Sequence, residues 1–126
     1  MASVLFKTPR QLQEFYNCEA LLQEILYWIV DFQWPENVPM SITSIYRTVA
    51  ENNDAGAKTQ IHCQTPHRAA DISLRLVPEN VANKITAEVN RRWDYGNNGF
   101  PCAYTHNVGS GIHLHVQVHK NTKRRT

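Results

Sequence analysis

Three histidines fall within seven residues in GSGIHLHVQVH, positions 109–119. Read as a strand, this stretch turns Ile112, Leu114, Val116 and Val118 to one face and His113, His115, Gln117 and His119 to the other. Two imidazoles two residues apart on a strand share one surface, an arrangement that serves both metal binding and acid–base chemistry. An amphipathic strand with a histidine-rich wet face gives the same alternation. The preceding stretch, PCAYTHN, forms a hairpin with it around Gly109–Gly111. A two-residue loop sets His106 opposite His115, and a four-residue loop sets it opposite His113. Either register places His106 on the imidazole face.

A metal site needs ligands from a second segment. TPHRAAD offers His67 and Asp71. In a regular strand, residues i and i+4 lie about 13 Å apart, too far to share one ion. The workable geometry puts His67 on the incoming loop, curled back after Pro66, with Asp71 early in the strand. His67, Asp71 and His115, with the fourth position left to water, make the donor set of a catalytic zinc site. Alone, His67 reads as an ordinary surface or core histidine and Asp71 as a capped or solvated carboxylate. The two motifs together, each beside an alternating strand, favour a metal.

The elements that must position these groups are legible as patterns. Thr8 and Pro9 mark a helix start, and apolar residues at helical spacing carry that helix to about Phe32, before Pro35. SITSIYRT (41–48) reads as a strand and ENNDAGAKT (51–59) as a polar loop. ADISLRL alternates, with Ala70, Ile72, Leu74 and Leu76 on one side and Asp71, Ser73 and Arg75 on the other. Pro78 opens a second helix with Val81, Ile85, Val89 and Trp93 on one face. The expectation is an α+β domain: a small antiparallel sheet with two main helices packed on it.

The 126 residues suffice for one domain, over 1–120, followed by a basic flexible tail, 121–126. A net charge of +2, mostly from KNTKRRT, does not argue for nucleic acid. A nucleic-acid role would use Arg91, Arg92 and the tail, but no aromatic-basic platform accompanies them. Three cysteines without regular spacing do not form a disulfide framework. No apolar run is long enough to span a membrane, and MASVLFKTPRQLQEF lacks the parts of a signal peptide. The expectation is a product made in the cytoplasm. Oligomeric state is left open.

The ordered set His67-x-x-x-Asp71 and His113-Leu114-His115 resembles the zinc metallopeptidases that unite lysostaphin-type endopeptidases, D-alanyl-D-alanine carboxypeptidases and the hedgehog signalling domain. GSGIHLHVQV is similar to the lysostaphin-type "TG-x-HLHFEV" segment, and the His-to-Asp spacing matches that branch. ITSIYRT resembles the "ITSGYRS" strand, and RAADI the "G-x-AADI" segment, of the carboxypeptidase and phage endolysin branch. Strand order and three segments, over roughly positions 41–119, favour this second branch. It has six residues between its His and Asp where this chain has three. His62, beside Cys63, is therefore the alternative first ligand. That branch also often carries a Glu or Asp three residues before its last zinc His, where this chain has Ile112.

The resemblance implies a hedgehog/DD-peptidase-like fold and a Zn²⁺ ion on His67, Asp71 and His115. It implies hydrolysis of a peptidoglycan stem or cross-bridge peptide. With no carboxylate at position 112, His113 and then His106 are the candidates to handle the proton. Asp94 is a weaker alternative, reading equally as a turn residue. Arg47, with Tyr46 beside it, would meet a substrate carboxylate or the developing oxyanion. His119 lies beyond the site and reads as solvated. A small chain of this kind resembles a phage- or prophage-encoded endolysin, reaching the wall after release. The rival expectation is a non-catalytic zinc-binding relative with the same fold.

Overall fold

The alternation of apolar residues decides the layers. Ile42, Ala70, Ile72, Leu114 and Val116 are fully buried, in one cluster with Leu22, Ile25, Leu26, Ile29, Ile85 and Val89 from the helices. Each large aliphatic side chain so buried contributes about 1.5–3 kcal/mol, so this face anchors the sheet. The computed structural model describes residues 3–46, 49–54, 61–63, 65–107 and 111–125. The elements run β1 (Val4–Phe6), α1 (Pro9–Tyr16), α2 (Ala20–Trp28), β2 (Met40–Ser44), α3 (Val49–Asp54), β3 (Ala69–Ser73), α4 (Glu79–Arg92), β4 (Trp93–Asp94), β5 (Ala103–Asn107), β6 (Ile112–Gln117) and β7 (Lys123–Arg124). A π-helical turn, Ile29–Gln33, follows α2, and a 3₁₀ turn, Ile61–Cys63, lies between α3 and β3.

The architecture is mixed α+β. A five-stranded sheet has the order β1-β2-β3-β6-β5, and β4 and β7 form a separate two-stranded sheet. The larger sheet is not purely antiparallel as expected, because β1 pairs parallel to β2, with Val4 opposite Met40. The β5–β6 hairpin takes the four-residue alternative, with His106 opposite His113.

Three further expectations are corrected. The first helix does not run unbroken from Thr8 to Phe32. It stops after Tyr16 and restarts at Ala20. At the break, Asn17 O accepts from His67 N at 3.1 Å and Glu19 N donates to His67 O at 2.8 Å. A tertiary backbone bridge replaces helical bonds there, and the local sequence does not signal it. The polar stretch 51–59 is not all loop, since α3 covers its start; residues 55–59 lie outside those described. The tail is not free. Lys123 and Arg124 pair with Asp94 and Trp93, and Arg125 N donates to Arg92 O at 2.7 Å. Gly96 permits this approach: its φ is +80°, and a Cβ there would meet Asn121 O at 2.6 Å.

Candidate metal centre

Strand register assembles the polar row. Asp71 on β3 faces His115 on β6, which faces Tyr104 on β5; Ser73, His113 and His106 form the next row. Directly opposed side chains of neighbouring strands lie about 4.5–5.5 Å apart, so these groups meet. The row is not a wet face. Asp71 and His115 are each 2% exposed, and His113 and Gln117 are buried as well.

A third segment completes the cluster. His62, on the 3₁₀ turn and 4% exposed, donates from Nδ1 to Ile45 O at 2.7 Å. Its Nε2 lies 3.3 Å from Asp71 Oδ2. His115 Nδ1 lies 2.9 Å from Asp71 Oδ1. One donor atom from each of His62, Asp71 and His115 falls within 4.8 Å of the others. Bonds of 2.0–2.2 Å in a tetrahedral zinc site put ligand atoms roughly 3.3–3.6 Å apart. The cluster matches that spacing to within about an ångström.

The structure thus gathers His62 with Asp71 and His115, and leaves the expected ligand His67 outside that group. The curl after Pro66 does not form. His67 is tied by its backbone to Asn17 and Glu19, and Arg68 O already accepts from Val118 N at 2.9 Å, prolonging the β3–β6 ladder. An extended chain from there to Asp71 covers about 13 Å, the separation that argued against sharing one ion. The His67 ring packs on Tyr46 at 4.9 Å instead.

The hydrogen-bond chemistry fits a cation. Carbonyl oxygens only accept, so Ile45 O fixes the proton of His62 on Nδ1. Gln117 Nε2 donates to Pro101 O at 2.9 Å, which turns Gln117 Oε1 toward His115 Nε2 at 2.9 Å and fixes that proton on Nε2. The remaining nitrogen of each neutral ring then aims a lone pair at the Asp71 carboxylate. Three acceptors converging in a buried site need positive charge between them, from an ion or from a second proton on each ring. Burial alone would raise the Asp71 carboxyl. With the second proton on the rings, the imidazoles of His106, His115 and His62 outweigh burial and hold the group well below the usual carboxylate range.

The other expected residues sit around this cluster. His113 donates from Nδ1 to Gly111 O at 3.0 Å, leaving a lone pair on Nε2. His106 Nε2 is buried, with no hydrogen-bond partner among the described residues, 3.6 Å from Asp71 Oδ1. Its ring edge is about a third exposed, at the rim. Tyr104, 37% exposed, lays its ring 4.7 Å from that of His115. Burial and then the nearby Asp71 carboxylate push its hydroxyl pKa up. Tyr46 is fixed through its backbone N–H, which donates to Glu14 Oε1 at 3.3 Å. Arg47 lies outside the described residues. Asp94 closes a turn, accepting from Gly96 N at 3.0 Å. His119 is not simply solvated: its Nδ1 accepts from Asn121 N, and its ring packs on Tyr95.

Sequence reasoning assigned Gln117 and Tyr104 no role. Alternation already put Gln117 on the imidazole face, and the hairpin register put Tyr104 beside it. His62 carried no pattern of its own, because it sits on a short 3₁₀ turn and not on an alternating strand. Comparisons with family models, with curated proteins and with solved structures found no match, so the reading of this site rests on its geometry.

Proposed function

We propose that His62, Asp71 and His115 hold a zinc ion in a peptidase acting on bacterial peptidoglycan, as a DD-carboxypeptidase or an endolysin-like endopeptidase. The observation that carries this reading is the pair of buried imidazoles, each held by an outer acceptor so that its free nitrogen faces one carboxylate. Two histidines and a carboxylate suit zinc and leave a coordination position for water or substrate. Zinc held there supplies Lewis acidity, which acidifies water and polarises a carbonyl. Support for peptide hydrolysis comes from the resemblance of the β2 and β3 segments to the carboxypeptidase branch and of the β6 segment to the lysostaphin type; the α+β architecture accommodates a hedgehog/DD-peptidase-like fold.

The chain's own residues would then act as follows. His113 accepts a proton at Nε2, its Nδ1 being engaged with Gly111. His106, at the rim, is the second group able to hold a proton near the reacting bond. Zinc-loaded protein is expected to release new amino termini from purified peptidoglycan peptides, and His113→Ala to slow this about 10²–10⁴-fold. One observation favours a second reading, a non-catalytic zinc-binding protein of the same fold: all three donor residues are less than 5% exposed. Intact peptides after incubation with fully loaded protein would decide for it.

A further inference from the structure

Gln117 is the remaining buried polar residue on the imidazole face of β6, 8% exposed and two positions past His115. Its amide has one workable orientation. Nε2 donates to Pro101 O at 2.9 Å, and the reverse orientation would set two carbonyl oxygens against each other at that distance. Its backbone is held too, with Gln117 N donating to Cys102 O at 2.8 Å. Oε1 is therefore presented to His115 Nε2 at 2.9 Å as a fixed acceptor.

We propose that Gln117 is a positioning residue: it holds His115 as the Nε2–H tautomer and so reserves Nδ1, 2.9 Å from Asp71 Oδ1, as the ligating atom. The inference rests on the metal-centre reading. The chain of contacts runs Pro101 O, Gln117 amide, His115 ring, Asp71 carboxylate, and each link leaves one hydrogen-bonding choice to the next. A ring protonated on Nδ1 alone would face the Gln117 oxygen with a lone pair in a dry site, and a ring turned over would offer it only a C–H. His62 is locked in the same sense by a backbone carbonyl, which no substitution removes. His115 is the ligand whose tautomer depends on a replaceable side chain.

The test uses the full chain, with zinc alone as probe. Long-range ¹H–¹⁵N spectra of the histidine rings should show His115 protonated on Nε2 and bound to zinc through Nδ1. Gln117→Leu should weaken zinc binding about 10–100-fold in chelator competition. A purely structural Gln117 would leave the ring nitrogens of a folded Leu variant unmoved. Zinc on Nε2 of His115, or unchanged affinity in Gln117→Leu, would overturn the proposal. Should the Leu variant not fold, the parent's ring spectrum decides. Should the parent take no zinc, the metal reading fails. His115 in the metal-free chain then still answers: a hydrogen-bonded Nε2–H upholds the role of Gln117, and a bare Nε2 overturns it.

Discussion

At the residue scale, the cluster turns on one carboxylate. Asp71 is buried among imidazoles, and its folded-state pKa lies below its unfolded value near 4. The sign follows from linkage. A depressed carboxyl contributes stability that is present above the unfolded pKa and lost as pH falls through lower values. Asp71→Asn should flatten the acid limb of the stability–pH profile of the metal-free protein below about pH 4. Denaturant melts across that range check this, and an acid limb as steep as the parent's would contradict it. Of the three cluster residues, Asp71 and His115 were legible in the sequence because each lies on the polar face of an alternating strand. His62 entered only as an alternative. His67 looked better because it stood nearer in sequence, and sequence distance cannot register a backbone bridge to Asn17 and Glu19.

At the element scale, β5 must be held in register for His106 and Tyr104 to meet the cluster. Asn90 of α4 does this with three hydrogen bonds: Nδ2 to Ala103 O at 2.8 Å, and Oδ1 from Cys102 N and Ala103 N at 2.9 and 3.0 Å. Asn90→Ala leaves those backbone groups without their partner and should cost about 2–4 kcal/mol by chemical denaturation. A change within 0.5 kcal/mol, of the size expected for an ordinary surface substitution, would mean that β5 holds itself. The sequence revealed α4, β3, β5 and β6 because each carries a clean period and a turn or proline at its edge. It concealed β1, three residues long, and the break at Asn17, because neither has a local period. The π turn at Ile29–Gln33 escaped for a related reason: its apolar residues continue the helical spacing of α2.

At the scale of the whole molecule, the basic C-terminal segment is a structural strap. Arg124 pairs with Glu24 on α2, Thr122 Oγ1 donates to Tyr95 O at 2.8 Å, and Arg125 Nε donates to Asn90 O at 3.0 Å. The strap ties the small sheet to two helices, beside the Trp28–Trp93 ring contact at 5.3 Å. Removing residues 121–126 should lower stability by about 1–3 kcal/mol, several degrees in Tm for a domain of this size. A free tail would come off with no change. Charge composition made this segment look solvated, since three of its six residues are Lys or Arg and the other three are polar. Pairing of Lys123 and Arg124 with β4 uses backbone groups, to which composition is blind.

The metal centre is tested most directly by bound zinc per chain, for the parent beside His62→Ala and His67→Ala. A centre built on His62, Asp71 and His115 gives about one zinc in the parent and in His67→Ala, and near none in His62→Ala. Zinc lost from His67→Ala and kept in His62→Ala would contradict the cluster described here, and a parent that takes up no zinc would contradict the metal centre altogether.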